Sequence, residues 1–402
     1  MLHNGVRELA YIVTIDEIRA IENYDRIEHA RVGGWWIVVK KDQFKVGDLA
    51  IYIEIDSKVP VIPAFEFLEK KHYAVKTQKF CKGQAISQGL LMSPEDFGWK
   101  VDKEIIWDDE SNVLVKGSFV TEKLGITYYE PEDNMRKANP EDKYKKMAQR
   151  RPKIFKTRFA RWMMKREWGK KIMFFLFGRK RDVKSGWPAW VKKTDEERAQ
   201  NLPRLFPNNS KEYIATEKID GTSTTFTIRG RGRKQQFFVC SRNVVFDKPD
   251  KKCFYETNVY TEMAEKYNIE KKLKELITKN NDIDFITIQA ETYGAGVQKR
   301  DYGLKEHRLA VFNVIIGYID GLVIRFNPFA AKEWCDEIGL PFVPIVAANF
   351  ILPATCDELL EYAASEPSKI DGGMREGLVF RDYNGEESFK AVSNAFLEKY
   401  HS

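Results

Sequence analysis

At 402 residues the chain has room for two domains with separate cores, at roughly 100–200 residues each. Apolar residues make up 43% and charged residues 31%, and no apolar run approaches the roughly 18 residues of a membrane span, so a helical membrane protein is excluded. The net charge of +7 is modest but unevenly placed: Lys143–Arg181 carries sixteen Lys/Arg against one acid, Glu167, leaving the rest of the chain net acidic. The start at Met1-Leu2-His3-Asn4-Gly5 lacks the basic-then-apolar layout of a secretory signal, so a cytoplasmic or nuclear, non-secreted protein is expected. Cys81, Cys240, Cys253, Cys335 and Cys356 are odd in number and scattered, which speaks against a zinc site or disulfide framework and for reduced thiols.

Taken in order, the first elements are short strands. Leu9–Val13, Trp35–Val39 and Leu49–Ile55 alternate as half-buried strands do, separated by turns at Gly33-Gly34 and Gly47-Asp48. Further strand-like runs at Ala85–Met92 and Val113–Lys116 complete a small all-β unit over residues 1–126, the size and pattern of an OB-type barrel. Such a barrel serves either as an oligonucleotide-binding face or as a structural platform.

Residues 127–184 form a polar linker running into the basic segment, where Phe155, Phe159, Trp162, Trp168 and Phe174 interleave with the cations. Cations carry a phosphate backbone and aromatic faces take unpaired bases. Arg158, Arg161, Lys165 and Arg166 are the residues expected to meet nucleic acid there. The same pattern equally describes a basic amphipathic helix docked on the core or on another protein.

From residue 185 to 402 the pattern is α+β. Strands are expected at Ile214–Thr216, Thr224–Ile228, Phe237–Cys240, Phe285–Gln289, Leu309–Ile315 and Leu378–Phe380. Helices are expected near Asn258–Lys279, Pro328–Ile338 and Cys356–Ala364. The informative stretch is Thr216-Glu217-Lys218-Ile219-Asp220-Gly221-Thr222, a strand entering a glycine turn that presents a lysine beside an acid. By itself Lys-x-Asp-Gly is also what a surface turn looks like.

Ordered company follows it: Ser241-Arg242-Asn243, Gln289-Ala290-Glu291-Thr292-Tyr293-Gly294, Val311-Phe312-Asn313, Glu376-Gly377-Leu378-Val379-Phe380-Arg381 and Ser388-Phe389-Lys390. This set resembles the motif series of the covalent nucleotidyltransferases, the superfamily of RNA ligases, DNA ligases and mRNA capping enzymes. Lys193–Arg198 with Gln200-Asn201-Leu202-Pro203 is similar to the entry segment of the Deinococcus-type ATP-dependent RNA ligases, which carry an OB domain in front. Phe44–Asp48 and Ile86–Leu90 look like that family's barrel. The resemblance implies an α+β nucleotidyltransferase, an ATP-grasp-like ligase adenylation domain, preceded by the small all-β barrel.

It also implies the chemistry. Lys218 would be the nucleophile that takes AMP from ATP, and an attacking lysine must be neutral, which from a free pKa of about 10.4 costs about 4.6 kcal/mol at pH 7. A neighbouring Mg²⁺ or Mn²⁺ and the positive charge of Lys390 would offset that cost. Asp220, Glu291 and Glu376, expected at strand ends, would hold the metal through water, since hard cations keep their hydration. In the nucleotide pocket the resemblance places Glu217 on the adenine edge and Phe312 stacked on adenine. Gly221, Arg242 and Arg198 join them there, with Glu291 and Glu376, while Lys390 braces the α-phosphate. Taken without the resemblance, Phe312 reads as a core residue and Glu217 as a strand-end acid. Several RNA ligases place a second lysine two residues beyond the first; here that position is Val392, and Arg198 or Arg381 is left to neutralise pyrophosphate.

The resulting expectation is an ATP-dependent RNA ligase joining a 3′-hydroxyl to a 5′-phosphate, at nicks, through lysyl-AMP and an RNA-adenylate. RNA, as a nicked duplex, would be its partner, with no membrane, no obligate protein partner and a monomeric chain. A capping guanylyltransferase or DNA ligase is the first alternative, disfavoured because those usually carry an OB domain after the last lysine motif, and only 12 residues follow Lys390 here. A non-catalytic RNA-binding module is the second, disfavoured by the intact Lys218, Asp220, Glu291, Glu376 and Lys390.

Overall fold

A computed structural model describes residues 2–3, 6–81, 85–129, 187–193, 195–207, 209–242, 244–246 and 257–400, together with Thr157, Ala160, Met163, Arg166 and Met173. Two compact units result: Met1–Tyr129 with Trp190–Ser402, and Glu130–Ala189. Within the second, Ala160 donates its N–H to Thr157 Oγ1 at 3.2 Å and Arg166 donates its own to the Met163 carbonyl at 3.0 Å. Arg158, Arg161 and Lys165 lie outside the described residues.

In the N-terminal part of the larger unit, Leu49–Ile53 is buried at all five positions, whereas Trp35–Lys40 alternates. The difference follows from side-chain period: strands covered on both faces are apolar throughout, and strands covered on one face alternate. Leu49, Ile51 and Ile53 enter one core with Ala10, Ile12, Phe65 and Met92, while Ala50 and Tyr52 enter a second with Trp35, Ile37 and Val39. The strand pairs antiparallel with Ala10–Thr14 on one edge and Leu90–Met92 on the other. A second meander joins Glu17–Ile21, Tyr24–Val32 and Trp35–Lys40. The single strand expected over Ala85–Met92 is two, Ala85–Ser87 and Leu90–Met92. Gly89 separates them at φ +108°, and a Cβ there would lie 2.5 Å from the Tyr52 ring.

The C-terminal part is built on two sheets. One has five strands in the order Glu197–Arg198, Ser388–Val392, Gly377–Asp382, Glu212–Lys218, Ile345–Ile351. The other has six, in the order Val245–Phe246, Gln236–Cys240, Thr222–Arg229, Ile283–Gly294, His307–Tyr318, Val323–Arg325. The chain passes from one sheet to the other through Ile219–Gly221, immediately after Lys218.

The helices follow their caps. The single helix expected near Asn258–Lys279 is two, Val259–Lys266 and Ile269–Lys279, because Asn268 takes φ 51° between them. Asparagine tolerates that left-handed conformation better than most residues. In the second helix Ile269, Leu273 and Ile277, four apart, are fully buried in the core under the six-stranded sheet. Each such burial contributes roughly 1.5–3 kcal/mol. Asn327 caps Pro328–Glu337, and a Thr355/Glu358 capping box starts Cys356–Ser365. Among the described residues no helix is long and apolar enough to cross a membrane, and Cys81, Cys335 and Cys356 are free thiols.

The two parts of the larger unit meet through polar and apolar contacts. Asn201 accepts from Trp35 Nε1 at 2.6 Å and donates to Glu54 Oε1 at 2.7 Å and Glu197 Oε1 at 2.6 Å. Ile55, Val392 and Leu397 form a small core of their own. Gly34 sits so close to Gln200 that a Cβ would lie 2.6 Å from its Cα.

Candidate active site

Lys218 is the last residue of Glu212–Lys218, and its Nζ donates to Glu376 Oε1 at 2.6 Å. Glu376 ends the loop before Gly377–Asp382, whose first residue pairs with Lys218 in register. Asp220 is in the following turn, its backbone N–H donating to Tyr302 Oη at 2.7 Å. Glu291 is not at a strand end as expected but inside Ile283–Gly294, opposite Ser223. It reaches the site because the glycine turn is pressed onto this strand: a Cβ on Gly221 would lie 2.4 Å from the Thr292 carbonyl oxygen and 2.9 Å from Glu291 Cγ. Glycine at that position therefore answers a packing demand in addition to any nucleotide contact.

Charge in this cluster is tightly coupled. Burial works against the Lys218 ammonium, but Glu376, Glu291 and Asp220 outweigh it and raise its pKa above the usual lysine value. Within the polypeptide alone the acids therefore favour the ammonium over the neutral amine that attack requires. Glu291 is pushed up to about 8, by burial first and by Glu376 and Asp220 next, with Lys218 pulling the other way. Glu376 is 5% exposed and its Oε2 has no hydrogen-bond partner among the described residues. A buried unmatched carboxylate oxygen among like charges fits a hard divalent cation. No three His, Cys, Asp or Glu among the described residues are spaced to ligate an ion directly.

Glu217 is buried and both its oxygens are occupied: Oε1 accepts from Ser368 Oγ at 2.5 Å and Oε2 from the Lys369 N–H at 2.8 Å. Phe312 packs beside Ile219, Tyr293 and Tyr302, with the Arg381 guanidinium carbon 5.9 Å from its ring centroid. Arg381 donates to the Phe312 carbonyl at 2.6 Å and to Glu196 Oε1 at 3.1 Å, so its charge is already matched. Arg198 is buried, with Nε and Nη1 unmatched among the described residues and Asp56 Oδ2 at 3.7 Å from Nη2. Lys390, paired in register with Arg198, donates to Asp195 Oδ1 at 3.5 Å. Arg242 donates to Asp195 Oδ2 at 2.7 Å and to Tyr128 Oη at 3.2 Å. Asp195, Tyr128 and Tyr302 carry no motif that marks them as functional, though Asp195 lies within the Lys193–Arg198 entry segment.

A second Lys-x-Asp-Gly occurs at Lys369-Ile370-Asp371-Gly372. There Lys369 is exposed and donates to the Ile345 carbonyl at 3.2 Å, while Asp371 pairs with Arg300 at 2.6 Å. The Lys218 copy turns its ammonium to a buried carboxylate, whereas the Lys369 ammonium meets a backbone carbonyl. A lysine closing a strand of one sheet thus lies beside Glu291 of the other sheet and Glu376 at the foot of a neighbouring strand, the arrangement expected of a nucleotidyltransferase site.

Comparison with known proteins agrees. Residues 211–392 match the RNA ligase family and residues 9–94 an OB-fold domain family. Among solved structures, the chain resembles a Naegleria gruberi RNA ligase with pyrophosphate at 26% identity and TM-score 0.68, covering 98% of this chain and 99% of that one. A lysine-to-alanine variant of the same ligase with ATP and manganese is similar at 26% identity and TM-score 0.69, and a glutamate-to-alanine variant with AMP and manganese at 26% and 0.68, both with the same coverage. No curated protein matches. The chain is an RNA ligase with an N-terminal OB-fold domain followed by a nucleotidyltransferase domain.

Proposed function

We propose that this RNA ligase is ATP-dependent and works through AMP held covalently on Lys218. The observation that carries the reading is the contact of Lys218 Nζ with Glu376 at 2.6 Å in a pocket whose acids include Glu291. Lys218 attacks the α-phosphorus, the AMP then passes to an RNA 5′-phosphate, and a 3′-hydroxyl displaces AMP to form the phosphodiester bond. Asp220, Glu291 and Glu376 would hold Mg²⁺ or Mn²⁺ through water. When bound, the metal would neutralise phosphate charge and weaken the hold of these acids on the Lys218 proton.

Arg242 and Lys390 face the phosphates, Phe312 the adenine, and Gly221 lets the backbone approach the nucleotide. Arg198 is the better candidate than Arg381 for charge on the polyphosphate, because its guanidinium is less completely matched. Glu217 acts on the adenine side by shaping the Ser368–Lys369 segment, to which both its oxygens are bonded.

The domains of this reading are an OB-fold domain over 1–126, a linker and basic segment over 127–184 and the adenylation domain over 185–402. The substrate is a nicked duplex with an RNA 3′-hydroxyl, the basic segment contacts it through residues such as Arg158, Arg161, Lys165 and Arg166, and the monomeric enzyme acts in the cytoplasm or nucleus.

The test is incubation with α-labelled ATP or GTP and Mg²⁺ or Mn²⁺. Acid-stable label from ATP on the wild type and none on Lys218→Ala, followed by chase onto a nicked RNA, is the expected result. Label from GTP would point to capping chemistry, and no label on nucleotide-free protein would overturn the covalent mechanism.

A further inference from the structure

Asp195 is a carboxylate ringed by cations from distant parts of the chain. Its Oδ2 accepts from Arg242 Nη2 at 2.7 Å and from Arg7 Nη1 at 3.4 Å, and its Oδ1 from Lys390 Nζ at 3.5 Å. The Tyr128 ring lies within cation–π range of both guanidiniums, its centroid 5.6 Å from the central carbon of Arg7 and 4.9 Å from that of Arg242. Arg7 also donates to Glu54 Oε2 at 3.3 Å, which fixes its position from behind.

Two features mark the ring as built for a larger anion. Charge-assisted contacts close to about 2.7–2.9 Å when both partners fit, yet two of the three contacts to Asp195 are well beyond that. The cations also crowd one another: burial first, then Arg7, Arg198 and Lys218, bring Lys390 down to about 8 even though Asp195 supports its charged form.

We propose that Arg7 is a catalytic residue which, with Arg242 and Lys390, receives the pyrophosphate leaving from ATP, and that Asp195 stands in that place until the triphosphate arrives. This rests on the lysyl-AMP reading above. In the step concerned, Lys218 Nζ has released its ammonium proton to solvent and forms a bond to the α-phosphorus as the bond from that phosphorus to the bridging oxygen breaks. The electron pair leaves on pyrophosphate, and the second proton shed by nitrogen goes to solvent. Arg7 and its companions meet the negative charge that accumulates on the departing group, where fixed donors act most strongly. Asp195 gives up its contacts and is repelled, so the ring is held in shape beforehand at the cost of competing with the substrate.

The reverse reaction isolates this site. Enzyme labelled from α-labelled ATP is freed of nucleotide and discharged with magnesium pyrophosphate, and release of labelled ATP is followed against pyrophosphate concentration. Arg7→Ala should raise the half-maximal concentration at least tenfold, Arg7→Lys should recover part of that loss, and Asp195→Asn should lower it. A wild-type pyrophosphate requirement in folded Arg7→Ala would overturn the proposal. Should Arg7→Ala fail to fold, an unchanged or raised requirement in Asp195→Asn would overturn it equally. Wild-type enzyme that takes no label from ATP would defeat the lysyl-AMP reading instead, before any pyrophosphate is added.

Discussion

Lys218 Nζ and Glu376 Oε1 are 158 positions apart in the chain and 2.6 Å apart in space. The contact makes Glu376 a brake on the lysine as well as a candidate metal holder, since burial favours the neutral amine and the carboxylate opposes it. Glu376→Gln should therefore make Lys218 react faster with an amine-selective reagent at mildly alkaline pH, read by peptide mass spectrometry. The same substitution should slow adenylylation about 10²-fold or more through loss of the metal-side charge. Unchanged amine reactivity would show that Glu376 does not restrain the nucleophile.

Lys218→Arg separates charge from nucleophilicity. A guanidinium keeps the countercharge to Glu376 but does not lose its proton in the working pH range. The variant should fold with a wild-type unfolding midpoint and show no acid-stable label. Label retained on the variant would place the nucleophile elsewhere.

Glu217 is expected to act through structure. Glu217→Ala leaves the Ser368 hydroxyl and the Lys369 N–H without their acceptor, at roughly 1–3 kcal/mol for each buried group. Thermal unfolding should shift downward, with a smaller shift for Glu217→Gln. A raised KM for ATP with an unchanged midpoint would identify a direct nucleotide contact instead.

Acid should weaken the site's framework. Burial works against the Glu196 carboxylate, but Arg381 and Arg325 hold its pKa below the usual value, and Lys390, Arg242 and Arg7 do the same for Asp195. A folded pKa below the unfolded one means stability is present above the unfolded value, about 4, and is lost as pH falls through the lower folded value. Urea midpoints measured from about pH 7 down to about pH 3 should fall on the acid side, and less steeply in Glu196→Gln. Equal slopes would rule out Glu196 as a contributor.

Installing the missing second lysine should fail. Val392 is 2% exposed against Ile55 and Leu397, so a lysine there buries an ammonium in an apolar core. Val392→Lys should cost about 3 kcal/mol or more, seen as a lowered denaturant midpoint, because burial of an unpaired charge is that expensive. A midpoint matching the wild type would mean the side chain finds a way out to a phosphate or to water.

Much of the site was legible because its chemistry is carried by local strings. The residues around Lys218, Glu291, Glu376 and Lys390 each sit in a short motif, and paired strands bring them together. What the strings concealed depends on distance or on conformation. Arg7 and Asp195 are 188 positions apart, and nothing local to either announces the other. The duplicate at Lys369–Gly372 shows the converse, a matching string whose lysine side chain ends on a backbone carbonyl and not on an acid. The break at Asn268 leaves no mark on the apolar period, which continues across it while the backbone does not. The occupied oxygens of Glu217 are a matter of a loop that returns 151 residues later.

The Asn201 junction bears on how this enzyme can be dissected. Removing residues up to Tyr129 would strip Asn201 of its Trp35 and Glu54 partners and lay bare Val392 and Leu397 beside the Lys390 strand. A truncated transferase would then lose activity through its own damaged surface, whatever the barrel contributes to RNA. Point substitutions on the barrel's outer strands are therefore the informative way to assign it a role, and chimeras that exchange barrels need glycine itself retained at position 34 to seat at all.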